Sequence, residues 1–156
     1  MTAAIKQSIK DHYRYRGGLL FFELRSGTGY ALYEPQGIDA FHMEEIPSKM
    51  LKRTAYEIKV SRADFLAEIR KPWKRRFAMS VSNNFFFISL PRLIRPEEVP
   101  LGCGLIEVAE KVPDQGLSWD TIVPSPWRDT SPPTWPFVAA LARAIKKLPE
   151  SAEETL

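Results

Sequence analysis

The chain has little of the two residue types that build disulfides and zinc sites. Its 156 residues include one cysteine, Cys103, and two histidines, His12 and His42. One thiol cannot form an internal disulfide, and three such side chains at these spacings are too few for a Cys/His zinc site. Functions that depend on either are excluded, and we expect Cys103 to serve as a small apolar residue.

Long apolar runs are also missing from the chain. No stretch approaches the roughly 20 apolar residues that a membrane-spanning helix needs. The N-terminus lacks the apolar segment of a signal peptide. We therefore expect a cytoplasmic protein.

The excess of positive charge is small but unevenly placed. The chain has 22 basic and 19 acidic residues, a formal net charge of +3 and a sequence pI of about 9.0. Basic residues concentrate at 71–76 and 49–53, whereas acidic ones concentrate at 97–110 and 150–154. An uneven field of this kind favours an anionic partner that contacts one side of the molecule.

Local patterns predict one α/β domain, since a chain of 156 residues fits a single core. Apolar residues at helical spacing predict four helices, at 3–14, from Ser61, at 73–80 and from Pro136. Short runs rich in aromatic and β-branched residues predict five strands, at 19–24, 37–43, 54–60, 85–90 and 104–109.

The last third of the chain has a different composition. Residues 113–136 are rich in Pro, Ser and Asp and contain three of the four tryptophans, Trp119, Trp127 and Trp135. Such a composition is typical of an irregular segment that wraps a core. We expect the tryptophans to seal that core, and the alternative is that they stack on unpaired bases. Residues 1–112 are thus predicted to form the core, and 113–156 a wrapping segment and a helix of the same domain, with a frayed end.

Two charged side chains interrupt the third predicted strand. In Tyr56-Glu57-Ile58-Lys59-Val60 the side chains alternate, so Glu57 and Lys59 share one face and the other residues share the opposite one. A central strand of an α/β sheet normally has apolar residues on both faces, so these charges must be paired, hydrated or bound to a metal ion. The plain alternative is an ion pair at a solvated sheet edge, worth about 0.2–1 kcal/mol and without chemistry.

The preceding strand adds a carboxylate to the same face. Ile38 and Ala40 are expected to point one way, and Asp39 and Phe41 the other. A hairpin around 47–53 would then bring Asp39 beside the strand that carries the charged pair. Two carboxylates are therefore predicted to converge.

A third acid and the type of ligand point to a hard metal ion. Glu23, on the first predicted strand, precedes a Gly-rich turn at 26–29 and is a secondary candidate ligand. Carboxylate oxygens suit Mg²⁺ or Mn²⁺, which bind through one or two carboxylates, water and substrate phosphate. Phosphodiester hydrolysis uses those parts, together with a cation such as Lys59 that stabilises the charge developing in the transition state.

These residues occur in an order that resembles a known superfamily. The chain contains Gly37-Ile38-Asp39-Ala40, then Tyr56-Glu57-Ile58-Lys59, then a helix beginning Ser61-Arg62-Ala63-Asp64-Phe65. This order resembles the PD-(D/E)XK nucleases, which have the restriction-endonuclease-like fold, and within them looks closest to the small bacterial and phage-type proteins related to the MmcB DNA-repair group. The resemblance covers about residues 3–109 and implies a core of a helix, three strands, a helix and a further strand, with a mixed central sheet flanked by helices.

The resemblance also implies roles for individual residues. In that superfamily the Asp and Glu hold the metal ion and the Lys positions water or stabilises the transition state, so the implied catalytic residues are Asp39, Glu57 and Lys59. The backbone carbonyl of Ile58 would be a further metal ligand. Two positions depart from the family pattern, because Ile38 precedes Asp39 where the family has Pro, and the family's acid on the first helix has no obvious counterpart except Glu23.

A cluster of cations follows the predicted active-site strand. Its position would let the side chains contact phosphates that flank the scissile one, so the predicted nucleic-acid-binding residues are Arg62, Lys71, Lys74, Arg75 and Arg76. Lys74 is the best single candidate. A charge run is equally often only a solvated helix face, and Ser61 and Asp64 are better explained as a helix cap than as ligands.

The sequence therefore predicts a Mg²⁺- or Mn²⁺-dependent nuclease-like enzyme. Its substrate would be DNA, in DNA repair or processing or in a mobile element. The alternative is a non-catalytic nucleic-acid-binding module that retains the nuclease fold. The sequence is compatible with a monomer or a homodimer.

Overall fold

A computed structural model describes residues 1–25, 36–110 and 116–149. The predicted Gly-rich turn at 26–29, the boundary at 112 and all but the first residue of the frayed end predicted at 149–156 lie outside these residues. The helices and strands, in chain order, are α1 (Thr2–Tyr13), β1 (Leu19–Arg25), β2 (Gly37–Met43), β3 (Arg53–Lys59), α2 (Arg62–Ile69), α3 (Arg76–Val81), β4 (Asn84–Ser89), β5 (Gly104–Glu107), β6 (Asp120–Val123) and α4 (Trp135–Ile145).

The described strands form one mixed sheet in the order β1 to β6. The pairs β1–β2, β2–β3 and β5–β6 are antiparallel, whereas β3–β4 and β4–β5 are parallel. The β3–β4 pair can be parallel because the chain crosses over through α2 and α3 between these strands. The predicted α/β class, with a mixed sheet flanked by helices, is confirmed.

Helices cover both faces of this sheet. On one face, Ile5 and Ile9 of α1 pack with apolar side chains of β3, β4 and β5. On the other face, Phe65 of α2 and Phe137 of α4 join a larger cluster with phenylalanines of β1, β2 and β4. In the ranges given above, no helix has the length and apolarity needed to cross a bilayer.

Three local predictions differ from the structure. The helix expected at 73–80 is a 3-10 turn, Pro72–Arg75, followed by the short α3. Strand β6 lies inside the segment expected to be irregular, because β5 offers it a free edge to pair with. The tryptophans do not act alike, since Trp119 stacks on His12 with ring centroids 4.0 Å apart, whereas Trp127 and Trp135 are 42% and 81% exposed.

A change in backbone direction occurs near the start of β2. Ile38 packs in the larger cluster and Ala40 in the smaller one, so these two residues do not share a face as predicted. The opposite residue on β1 explains the change: Glu23 has φ 52°, a left-handed conformation that breaks strand alternation between its neighbours. The alternation rule therefore fails at this point.

Residues 125–130, here called the C-terminal strap, cross the starts of β3 and β4. Asn83, which is 3% exposed, donates its Nδ2 hydrogen to the carbonyl of Arg128 and accepts the N–H of Arg53, both at 2.9 Å. Asn84 donates to two carbonyls of the strap, at 3.0 and 3.2 Å. The strap is irregular, but side-chain hydrogen bonds hold it to the sheet.

Candidate active site

Strands β2 and β3 separate where the predicted site begins. Their backbone pairing runs from Met43–Arg53 to Ala40–Tyr56 and stops there, although both strands continue. Beyond that point the side chain of Asp39 replaces the backbone as acceptor, because its Oδ2 receives the N–H of Ile58 at 2.8 Å. The carboxylate thereby satisfies a strand N–H that the separation would otherwise leave unpaired.

Three acids lie in a row across β1, β2 and β3. The pairs Phe22–Ala40 and Leu24–Ile38 place Glu23 opposite Asp39. One step beyond the last paired residues of β2 and β3, Asp39 in turn lies level with Glu57. The hairpin predicted from the sequence therefore does bring the two main carboxylates together, with Glu23 next in line.

The acid row opens into a cleft of about 1010 Å³. Five carboxylates and three cations line this cleft, at Glu23, Asp39, Glu57, Asp64, Glu68, Lys59, Lys74 and Arg76. The buried or half-buried groups at its floor come from β2, β3 and α2, whereas Lys74, Arg76 and Trp73 are exposed at its rim. The rim residues come directly after β3 and α2 in the sequence. One continuous stretch of the chain therefore supplies most of the floor and the rim.

Lys59 lies at the centre of the floor with a side chain that is 4% exposed. Its Nζ is 3.0 Å from Oε1 of Glu57, 3.5 Å from Oε2 of Glu68 and 3.7 Å from Oδ2 of Asp64. A buried ammonium group is costly unless carboxylates surround it, and here three do. The charged pair is therefore neither a solvated edge pair nor an isolated one.

Glu68 is a member of this site that the sequence reasoning missed. It is 7% exposed and contacts Arg75 as well as Lys59, with 3.9 Å between Oε1 and the arginine Nη1. Arg75 also donates to the backbone carbonyl of Glu68 at 3.3 Å. A signal was present, since Glu68 follows Asp64 by four residues and therefore lies on the same helix face.

Asp64 has two roles in the structure. Its backbone N–H donates to Oγ of Ser61 at 3.1 Å, which is the predicted cap of α2. Its carboxylate also faces Lys59 and lines the cleft. The cap positions the acid, because it fixes the first turn of α2 over the end of β3.

Burial and mutual repulsion shift the pKa values of the two main carboxyl groups. Burial and, to a smaller extent, the charge of Asp39 raise the pKa of Glu57 to about 7, although the charge and hydrogen bond of Lys59 oppose both. Burial also raises the pKa of Asp39, against the hydrogen bond from Ile58, and Glu23 adds to the rise. Both shifts come mainly from burial, with repulsion by a neighbouring carboxylate as a smaller cause.

The pKa of Lys59 lies above its ordinary value. Burial alone lowers it, but the charge and hydrogen bond of Glu57 outweigh burial, and Glu68 and Asp64 act in the same direction. Lys59 is therefore an ammonium cation at neutral pH. It is suited to stabilising negative charge and unsuited to accepting a proton.

Glu23 extends the row towards solvent. Its side chain is 66% exposed and pairs with Lys6 of α1, with 2.7 Å between Nζ and Oε1. The ion pair joins α1 to the edge of the cleft. Glu23 lines the cleft but is separated from Lys59 by strand β2, which lies between β1 and β3.

The five cations predicted to bind nucleic acid occupy different environments. Lys74 and Arg76 are exposed at the rim of the cleft, and Lys71 is exposed beside them. Arg62 pairs with Glu98, with Nη1 and Oε2 3.0 Å apart, and Arg75 is 6% exposed beneath Glu68. The structure thus brings Lys74 and Arg76 to the cleft and engages Arg62 and Arg75 within the protein.

The oxygen ligands fit a hard divalent ion with few protein contacts. Within the part of the chain that the structure describes, no group of three or more His, Cys, Asp or Glu side chains is arranged to hold a metal ion. Asp39 and Glu57 alone provide two carboxylates, which lie level with each other on β2 and β3 at the floor of the cleft. Mg²⁺ commonly binds through one or two carboxylates and keeps its remaining waters.

Comparisons with known proteins add information on the fold. No protein family and no curated protein matches the chain. Among solved structures, it is similar to SPO1766, a protein of unknown function from Silicibacter pomeroyi, with a TM-score of 0.61 and 18% identity over 93% of this chain and 88% of that one. At this identity the similarity shows the fold alone, so any function must be argued from the cleft.

Proposed function

We propose that this protein is a metal-dependent nuclease that hydrolyses DNA phosphodiester bonds in the cleft. The observation that carries the proposal is the convergence of Asp39, Glu57 and Lys59 where β2 and β3 separate, below a rim with exposed cations. Two carboxylates, a buried ammonium group and a cationic rim are the parts that phosphodiester hydrolysis requires.

Membership of the PD-(D/E)XK superfamily, with its restriction-endonuclease-like core, forms part of the proposal. The described chain has a helix, three strands, helical segments and a further strand before β5. Asp39 lies on the second of these strands and Glu57 and Lys59 on the third, immediately before α2. These placements support the superfamily's pattern of an acid followed by an acid and a lysine.

Asp39 and Glu57 would hold Mg²⁺ or Mn²⁺, with the carbonyl of Ile58 and Glu23 as further ligands. The bound ion would supply a polarised phosphate and an activated water. The residues of the chain orient these ligands. The hydrogen bond from Ile58 fixes the carboxylate of Asp39, and the ion pair with Lys59 fixes that of Glu57. Lys59 contributes a permanent positive charge next to the phosphate, where charge develops during the reaction.

The exposed cations at the rim would bind the substrate backbone. Lys74 and Arg76 lie on the side of the cleft formed by the 3-10 turn and α3. Contacts of this kind fix the register of the bound strand without reading its sequence. They place one phosphate over the acid row, and remote binding of this kind lowers the entropic cost of reaching the transition state.

A non-catalytic nucleic-acid-binding module is the second candidate. One observation favours it, namely that Glu57 and Lys59 pair with each other at 3.0 Å rather than standing free in the cleft. In that case the pair is structural, and the cationic rim alone provides the function.

Cleavage assays separate the two candidates. Single-stranded, duplex and branched DNA would be incubated with the protein in Mg²⁺, in Mn²⁺ and in EDTA. Asp39→Asn is the main variant, because the amide oxygen still accepts the Ile58 N–H while the negative charge is lost. Lys59→Met is the second, and circular dichroism checks that both variants fold.

We expect metal-dependent cleavage by the wild type and a loss of at least about 100-fold in Asp39→Asn and Lys59→Met. Asp120→Asn, a matched change at an exposed acid of β6, should cleave normally. Wild type and variants that are equally inert while all of them bind DNA would support the binding module instead.

A further inference from the structure

Trp73 is an exposed aromatic residue at the rim of the cleft. Its side chain lines the same cleft as Asp39 and Glu57, yet the residue is 51% exposed. Tryptophan is highly buried on average, and the apolar clusters of this protein do not include Trp73. A half-exposed indole above an acidic floor therefore calls for a ligand with an apolar, flat surface.

The backbone that carries Trp73 is held in place. Gln36, immediately before β2, donates its Nε2 hydrogen to the carbonyl of Trp73 at 2.8 Å. The Oε1 atom of the same side chain accepts the N–H of Phe77 at 2.9 Å. The amide of Gln36, three residues before Asp39, thus binds the backbone at both ends of the segment from Trp73 to Phe77. The backbone that carries the indole is therefore held close to the acid row.

The surroundings of Trp73 combine an aromatic face with cations. Lys74 and Arg76 follow it in the chain and line the same cleft, and Lys71 is exposed just before it. Proteins bind single-stranded nucleic acid through aromatic and cationic side chains that lie along a groove. The bases stack on the aromatic rings and the cations contact the phosphates. A base inside a duplex is already stacked on both sides and is unavailable to such a ring.

We propose that Trp73 stacks on an unpaired base of the bound nucleic acid, so the substrate class is DNA with a single-stranded region at the site of reaction. This inference rests on the proposed function for its choice of ligand. It goes further, because the acid row and Lys59 act on a phosphate and are indifferent to pairing, whereas Trp73 discriminates between paired and unpaired bases.

Binding measurements in EDTA test this inference without cleavage. Fluorescence anisotropy would follow labelled single-stranded oligothymidine, a blunt duplex of equal length, and an oligomer of abasic sites that keeps the phosphates but has no bases. The variants are Trp73→Ala and Trp73→Phe. Trp135→Ala is the matched control, because Trp135 is 81% exposed and lies outside the cleft.

We expect Trp73→Ala to weaken single-strand binding about 10-fold, Trp73→Phe to retain affinity within about 3-fold, and Trp135→Ala to bind as the wild type does. Neither duplex nor abasic binding should change by more than about 2-fold. Intrinsic fluorescence gives a second readout, since the wild-type signal minus that of Trp73→Phe should be quenched by the single strand and not by the abasic oligomer.

Equal single-strand affinity of wild type and Trp73→Ala would overturn the inference and leave a partner protein as the ligand of the indole. Equal losses for the single strand, the duplex and the abasic oligomer would also overturn it, because Trp73 would then only shape the cleft. The proposed function fails separately. A protein that binds single strands through Trp73 but cleaves nothing refutes the nuclease, whereas cleavage that is insensitive to Trp73 refutes only the stacking.

Discussion

Glu57 keeps its proton to a higher pH than an exposed glutamate does, and this affects the stability of the whole fold. The unfolded chain releases the proton near the ordinary pKa of 4.5, whereas the folded protein releases it at about 7. Between these values the folded state binds more protons, so the free energy of unfolding falls as pH rises. Above pH 7 the free energy of unfolding has fallen by its full amount, which is on the order of 3 kcal/mol.

Glu57→Gln should flatten this dependence, because glutamine does not titrate. Urea unfolding in EDTA at pH 5, 6, 7 and 8 would give the slope for wild type and variant. Asp39 contributes in the same direction, so a smaller slope should remain. Asp120→Asn, at an exposed acid, should leave the wild-type slope unchanged. Parallel curves for Glu57→Gln and wild type would contradict the assignment.

Glu23 occupies a backbone conformation that suits glycine better than glutamate. Its φ is 52°, in the left-handed region, where a Cβ atom costs about 1–2 kcal/mol. We therefore expect Glu23→Gly to be more stable than Glu23→Ala by about 1 kcal/mol, since both lose the carboxylate and the Lys6 ion pair and only the first relieves the backbone. Chemical denaturation of the two variants measures the difference. A glycine variant no more stable than the alanine variant would show that the strain is absent.

Asp39, Glu57 and Lys59 could be placed together from the sequence because strand alternation and a short hairpin determine which side chains are neighbours. Glu68 could not, since its contact with Lys59 depends on where α2 crosses the sheet. Alternation also fails at Ile38, because the left-handed Glu23 opposite it cannot be recognised from residue type. Local rules thus predicted the centre of the site and missed the contacts made between elements.

At the scale of elements, the buried amide of Asn83 joins the C-terminal strap to the sheet. Asn83 bonds to the strap and to the first residue of β3. We expect Asn83→Ala to lower the free energy of unfolding by about 2–3 kcal/mol, because buried backbone groups lose their partners. Activity per folded molecule should be unchanged, since the starts of β3 and β4 lie at the opposite end of the strands from Lys59.

Urea unfolding and the cleavage or binding assay, run on the same Asn83→Ala preparation, check both parts of this expectation. Gln7→Ala provides the control, because the exposed Gln7 bonds only to Asp11 of its own helix. A loss of activity at full folding would show that the strap influences the cleft.

Elements with several periodic residues were predictable, whereas short ones were not. Five strands and the positions of α1, α2 and α4 follow from apolar spacing. Strand β6 has four residues and is followed by a stretch rich in proline at 124–133. Pairing with β5, rather than its own pattern, makes it a strand. The strap was predicted only as an irregular segment, because its bonds involve Asn83 and Asn84, which are distant in the chain.

At the scale of the molecule, a net charge of +3 says little until the positions of the cations are known. Arg62 and Arg75 are engaged by Glu98 and Glu68, so they add little to the field outside the protein. Lys74 and Arg76 remain exposed beside the cleft. Attraction of a polyanion to the cleft is therefore expected to depend mainly on these two residues.

The double variant Lys74→Ala/Arg76→Ala should bind single-stranded DNA more weakly and with less dependence on salt. Losing two phosphate contacts lowers the slope of log affinity against log salt concentration by about 1.4. Titrations at several NaCl concentrations measure that slope. Lys52→Ala/Lys146→Ala removes the same charge from exposed positions outside the cleft, and equal effects of the two double variants would refute a specific role for the rim.

The strap is also synthesised late relative to the strands that it holds. The ribosome makes the acid row and Lys59 well before residues 125–130, and at roughly 5–20 residues per second the interval is roughly 3 to 13 seconds. Throughout that time Asn83 and Asn84 have no strap to bond, so the starts of β3 and β4 are incompletely held. The residues of the candidate site are thus synthesised early, whereas the segment that holds the opposite ends of β3 and β4 is synthesised late.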